Sequence, residues 1–172
     1  KIIKISCKMN SNFNPLSPEE LVSRINKIPR IRLAQLPTAL EYAPNISKEL
    51  NINLYIKRDD CTALAFGGNK TRHLEFIMAK TLSGEYDCIL TGAASQSNFC
   101  RQAVAAANKL NLDSYLVLMH GVKGKLMQGN FLLYNILGAN VDVVEGENLE
   151  DIPKHLDKKY DELIKEGRKP LL

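Results

Sequence analysis

Residues 87–119 read DCILTGAASQSNFCRQAVAAANKLNLDSYLVLM, and the order of patterns within them implies an α/β protein. Asp87 to Thr91 is a short apolar run of the kind found in buried strands. Ser97 to Leu110 is alanine-rich, opens on residues that favour helix caps and ends at Asn111; Ser114 to Met119 reads as a strand again. A helix of this length between two strands cannot be a hairpin. It implies parallel strands joined by a right-handed crossover.

The same alternation extends outward. Upstream, Leu54 to Arg58 reads as a strand, and Lys70 to Leu82 as a helix with Leu74, Ile77, Met78 and Thr81 on one face and Gly84 as its stop. Downstream, Leu126 to Leu137 reads as a helix closed by Gly138, Val141 to Val144 as a strand, and Glu150 to Glu166 as a helix closed by Gly167. The expected fold is an open parallel sheet with flanking helices. Before it, Ser17-Pro18-Glu19-Glu20 supplies a cap, a first-turn proline and two acids for a helix running to about Lys27. Pro29, Pro37 and Pro44 then predict an irregular or extended stretch, and no 20-to-50-residue repeat or low-complexity segment is present.

Composition bounds the function. The chain has 172 residues, 45% hydrophobic and 24% charged, enough to bury a core. Its net charge of +4 is spread along the sequence with no basic run interleaved with aromatics, which argues against nucleic-acid binding. No run approaches the roughly 18 apolar residues of a membrane span, so no membrane association is expected. Lys1 to Lys8 are too broken by charge for a secretory signal and read as an upstream extension. Cys7, Cys61, Cys88 and Cys100 have no C-x-x-C spacing, and His73, His120 and His155 lie far apart; reduced thiols, no metal and a cytoplasmic location are expected. The triplets Asn45-Ile46-Ser47 and Asn69-Lys70-Thr71 are then coincidental matches to a glycosylation sequon.

Two stretches carry chemistry. In Ala65-Phe66-Gly67-Gly68-Asn69-Lys70-Thr71-Arg72, one lysine follows two glycines at the start of a helix. A lysine at a strand-to-helix turn, with glycines allowing close approach to the backbone, suits a Schiff base with an aldehyde cofactor. A plain turn followed by a solvated lysine is the simpler alternative. The phosphate-binding P-loop is rejected, because Asn69 stands where its second glycine belongs and residues 61–66 lack the first. No G-x-G-x-x-G follows any strand.

The second stretch is Thr91-Gly92-Ala93-Ala94-Ser95-Gln96-Ser97-Asn98, small and polar residues at the carboxyl end of a parallel strand. The helix that follows offers free backbone N–H groups and the positive end of its dipole. Gln96, Ser97 and Asn98 are all able to hold a carboxylate or a phenolate oxygen. Ser97 and Asn98 are equally suited to capping the helix. Glu145 to Lys169 mixes both signs of charge at helical spacing and reads as a solvated helix face.

Taken together, Ile56-Lys57-Arg58-Asp59-Asp60, Phe66 to Arg72, Leu74-Glu75-Phe76, Gln96-Ser97-Asn98 with Arg101-Gln102, Gly129-Asn130 and Leu137-Gly138-Ala139 resemble one family. It is that of D-cysteine desulfhydrase and 1-aminocyclopropane-1-carboxylate deaminase, pyridoxal-phosphate enzymes of the tryptophan-synthase β fold. The resemblance covers roughly residues 30 to 170. It implies pyridoxal 5′-phosphate as cofactor, with Lys70 as the catalytic lysine that carries it and moves protons at the substrate's α and β carbons. It implies Asn98 at the cofactor's 3′ oxygen and Ser97, also catalytic, near the substrate carboxylate.

It further implies a small amino acid as substrate, a homodimer and, by preference, α,β-elimination of D-cysteine to pyruvate, ammonia and sulfide. Deamination of 1-aminocyclopropane-1-carboxylate and a non-catalytic α/β module are the alternatives. Two departures stand out: Phe99 where the family has histidine or glutamine, and His73 where lysine is common. Members of the family are about twice as long. Residues 1–53 are therefore expected to be an extension and part of a large domain, and residues 54–172 a small α/β domain with the cofactor lysine. The remainder of the large domain is expected to be absent, leaving an N-terminal fragment that is inactive alone.

Overall fold

The computed structural model describes residues 15–120, 126–145 and 149–172. Cys7 and the leading extension lie outside them. Helix α1 (Pro18–Ile25) begins where the sequence places it, with the Ser17 hydroxyl accepting the Glu20 amide at 3.1 Å. The next stretch is more ordered than its prolines suggest. Strand β1 (Leu40–Tyr42), helix α2 (Pro44–Leu50) and strand β2 (Tyr55–Lys57) form a small unit in which β1 and β2 pair antiparallel. Pro44 sits in the first turn of α2, where its missing N–H costs nothing.

This corrects the reading of residues 54–58 as the first strand of the parallel sheet. Tyr55, Ile56 and Lys57 pair with Tyr42, Glu41 and Leu40 instead. Helix α3 (Lys70–Ile77) then continues as a 3₁₀ segment, Met78–Ser83, and stops at Gly84. Leu74 and Met78 are buried, whereas Ile77 is exposed at its edge.

The main sheet is wholly parallel. It contains β3 (Cys88–Ala94), β4 (Asp113–Met119), β5 (Asn140–Val144) and β6 (Pro170–Leu171) in the order β5-β4-β3-β6. Three helices complete it: α4 (Asn98–Lys109), α5 (Gly129–Ile136) and α6 (Ile152–Lys165). Alternate strand residues face opposite sides. Leu116 and Leu118 pack with Cys100 and Val104 of α4 and with Phe131 and Tyr134 of α5, while Leu90 and Val117 pack with Leu163 of α6.

Ile89 and Leu171 join Leu74, Met78 and the alanines of α4 in a further cluster that draws α3 and Leu33 onto the sheet. From β3 the chain winds through α4 and α5 on one face, then returns through α6 on the other face to set β6 on the far side of β3. The strand order therefore reverses at β3, and its carboxyl end is the crevice where open parallel sheets bind ligands.

Glu75 ties the amino-terminal region to this body. Its carboxylate, buried on α3, accepts the amides of Leu33 and Ala34 at 3.0 Å each and pairs with Arg30. Burial alone would raise its pKa, but the Ala34 and Leu33 amides and Arg30 outweigh it and hold the carboxyl below the usual range. A depressed carboxylate stabilises the fold fully above its unfolded value, near pH 4.5, and that stability is lost as pH falls through the folded value. Glu75→Gln, which cannot form the charged pair, is expected to lower unfolding free energy at pH 7 by about 2 kcal/mol in urea titrations. It is also expected to reduce the loss of stability on acidification below pH 4.5. The slope persists in part, because Asp59 is likewise held low, chiefly by Arg72.

Candidate functional site

Lys70 opens α3 at the end of a loop held in costly conformations. Between β2 and α3 the chain makes two 3₁₀ turns, and Ala63, Ala65 and Phe66 take φ of +72°, +45° and +68°. Left-handed backbone at non-glycine residues costs about 1 kcal/mol or more each, so the surroundings must impose it. Thr62, fully buried, does part of this. Its hydroxyl accepts the Gly68 amide at 2.9 Å and lies 2.9 Å from the Gly68 carbonyl and 3.0 Å from that of Asp59.

Gly67 has φ +72° and ψ −177°, and a Cβ there would lie 1.9 Å from the Asp60 carbonyl oxygen. Only glycine fits. The Gly67 carbonyl accepts from both Gln102 Nε2 and Arg101 Nη2 of α4, each at 2.9 Å. On the other side of the lysine, the Thr71 hydroxyl donates to Gln102 Oε1 at 2.6 Å. One residue further on, Arg72 forks onto Asp59 at 2.7 and 2.9 Å. Lys70 itself is half-buried, and its ammonium has no hydrogen-bond or ion-pair partner among the described residues.

The second stretch lies at the carboxyl end of β3. Ser97 is the cap of α4: its hydroxyl accepts the Cys100 amide at 3.3 Å, and its carbonyl accepts the Tyr134 hydroxyl at 2.8 Å. Asn98, exposed, is the first residue of the helix. Its Oδ1 accepts from Asn130 Nδ2 at 3.0 Å, which leaves its own NH₂ directed elsewhere as a donor. The Cys100 thiol is pushed up by burial, and that of Cys88 is pushed up to about 12 for the same reason, so neither buried sulfur is poised as a nucleophile.

The two stretches meet through α4. Arg101 donates to Gly67 of the lysine loop and, at 2.9 Å, to Oδ1 of the same Asn130 that bonds Asn98. Three hydrogen bonds thus connect the loop of Lys70 to Asn98.

Gln96 is not a free ligand group as its place in the sequence suggested. Its Nε2 donates to the Gln128 carbonyl and its Oε1 accepts the Asn130 amide, so it splices β3 to the start of α5. Phe99 packs on the cluster of Leu74, Met78, Ile89 and Ala103. It serves the core. His73 is exposed, His120 makes an edge contact with Phe131, and no His, Cys, Asp or Glu cluster that could hold a metal occurs among the described residues. Thr62, Thr71 and Asn130 were not singled out for the site by the sequence. Thr71 and Asn130 lie in stretches that carry the family resemblance, without a role attached to either, and Thr62 is marked only by the polar residues just before it.

The donor set suits a cofactor that carries an aldehyde and an anionic ring oxygen. An unpaired amine, an outward amide NH₂ and the first amides of α4, which have no carbonyl partner within their helix, meet those two groups.

The profile of the family described as "Pyridoxal-phosphate dependent enzyme" matches residues 31–172. A Pyrococcus horikoshii protein named "Putative 1-aminocyclopropane-1-carboxylate deaminase" is 39% identical over 152 residues, 88% of this chain and 46% of that protein. A Klebsiella pneumoniae protein named D-cysteine desulfhydrase is 36% identical over 153 residues, 87% of this chain and 46% of its own length. The crystal structure of an ACC deaminase homologue superposes with a TM-score of 0.82 at 38% identity, over 91% of this chain and 47% of that one. Threonine deaminase isoform 2 from Solanum lycopersicum, at 21% identity and a TM-score of 0.60 over 81% of this chain and 35% of that one, shares the fold. The chain spans about half the length of the curated relatives it matches. With its open parallel sheet, its lysine loop and these relatives, the chain belongs to the pyridoxal-phosphate-dependent enzymes of the tryptophan-synthase β fold, whose cofactor is pyridoxal phosphate.

Proposed function

We propose that the protein carrying this chain is a lyase that breaks a bond at the β carbon of a small amino acid, with D-cysteine as the preferred substrate. The observation that carries this reading is the unpaired ammonium of Lys70, tied through Gly67 and Arg101 to the network that orients Asn98. In this reading Lys70 binds the cofactor aldehyde as a free amine, then shuttles protons at the substrate's α and β carbons. Asn98 donates to the ring's 3′ oxygen. Ser97 and the first turn of α4 orient the substrate carboxylate. Bound pyridoxal phosphate supplies the electron sink for the carbon that loses its proton.

The reaction balances without a further reactant: D-cysteine and water give pyruvate, ammonia and hydrogen sulfide. Ring-opening deamination of 1-aminocyclopropane-1-carboxylate is the second reading, favoured by the names of the Pyrococcus protein and of the superposed homologue. The same reading makes residues 54–172 the small domain and residues 1–53 a leading segment plus part of a larger one.

Two outcomes are expected from the complete gene product. Mixed with pyridoxal phosphate and reduced with borohydride, it gains a phosphopyridoxyl group on the peptide containing Lys70. Mass spectrometry placing the label on another lysine contradicts the assignment. In steady-state assays, sulfide release from D-cysteine exceeds ammonia release from the cyclopropane substrate, and Lys70→Ala lowers it about 10³-fold. Faster turnover of the cyclopropane selects the second reading.

A further inference from the structure

We propose that Asn130 is a positioning residue that fixes which end of the Asn98 carboxamide faces the cofactor, and that Arg101 couples this choice to the lysine loop. The inference rests on the reading of Asn98 as the donor to the ring's 3′ oxygen. A carboxamide has a donor end and an acceptor end of nearly the same shape, and only the NH₂ end suits an anionic oxygen. Something must therefore select the rotamer.

The selection runs in one direction along the network. Arg101 can only donate, so the atom of Asn130 that lies 2.9 Å from Arg101 Nη1 has to be the carbonyl oxygen. That turns Asn130 Nδ2 toward the Gln96 carbonyl at 2.8 Å and Asn98 Oδ1 at 3.0 Å. Asn98 then has its oxygen occupied and its NH₂ free. The other guanidinium nitrogen, Nη2, holds the Gly67 carbonyl three residues before Lys70, so one cation sets the polarity of the amide pair and anchors the lysine loop together.

The backbone of Asn130 is pinned as well. Its amide donates to Gln96 Oε1 at 2.9 Å, an approach that glycine at the preceding position favours: Gly129 has φ +56°, and a Cβ there would lie 2.6 Å from the same Gln96 oxygen and push it aside. Asn130 reaches no ligand group itself in this scheme; it acts through Asn98.

Asn130→Asp separates orientation from folding. The carboxylate keeps the shape and the bond to Arg101 but has no proton to donate, so the exposed bond to the Gln96 carbonyl is lost and Asn98 turns its NH₂ toward Asp and presents its oxygen to the ring. For the complete gene product, the expected result is an apparent dissociation constant for pyridoxal phosphate raised about tenfold or more, with a shifted visible absorption maximum. The melting temperature falls by no more than about 8 °C, the cost of the one exposed hydrogen bond to Gln96, and the chain stays folded. Arg101→Lys, which can reach one of the two carbonyl oxygens at a time, gives a smaller rise in the same direction. Unchanged affinity and an unchanged absorption maximum in Asn130→Asp overturn the proposal.

A second measurement needs no substitution. In the ¹⁵N-labelled parent, pyridoxal phosphate is expected to move the side-chain NH₂ resonances of Asn98 much further than those of Asn130, and the reverse pattern overturns the proposal. A parent protein that develops no absorption band with the cofactor overturns the functional reading, and this inference with it. Failure of the inference alone shows as a band in the parent that Asn130→Asp leaves unaltered.

Discussion

The carbonyl of Gly67 is the joint on which the site depends. It accepts two hydrogen bonds from consecutive residues of α4, from a backbone conformation, φ +72° and ψ −177°, that only glycine fits. The loop that carries it contains three non-glycine residues in left-handed backbone, so it needs external restraint. Arg101 and Gln102 supply that restraint, and Thr62 and Thr71 complete it from within. Because α4 is packed through Cys100, Val104 and its alanines onto the sheet, the lysine inherits the rigidity of the core.

The sheet explains why the second half of the site lies where it does. Reversal of the strand order at β3 opens a crevice at its carboxyl end, and α4 starts there. Ser97 and Asn98 stand at that start, and α5 is drawn in by the Tyr134 hydroxyl and by Asn130. A strand, two helices and the lysine loop thus meet around one helix N-terminus. The amino-terminal region is attached separately, through the amides that converge on Glu75.

Much of this was legible in the amino-acid sequence, for physical reasons. The strands β3 and β4 are apolar along most of their length because both faces are covered there, and glycines mark the stops of the 3₁₀ extension of α3, of α5 and of α6. Lys70, Ser97 and Asn98 stood out because their neighbours are unusual. Residues 54–58 did not reveal their partner, since a three-residue strand carries too little pattern to distinguish an antiparallel pairing from a place in the parallel sheet. Gln96 looked like a ligand residue because its true partners are 32 and 34 residues away. Phe99, a departure from the family pattern, is accounted for by its packing on Leu74 and Met78. Long-range polar pairing leaves no periodic trace.

The most direct test of the account is a crystal structure of the complete gene product grown with pyridoxal phosphate. The account predicts continuous density from Lys70 Nζ to the cofactor, with Asn98 Nδ2 within hydrogen-bonding distance of the ring's 3′ oxygen and the Gly67 carbonyl still held by Arg101 and Gln102. Density joining the cofactor to a different lysine, or a ring lying away from the start of α4, would contradict it.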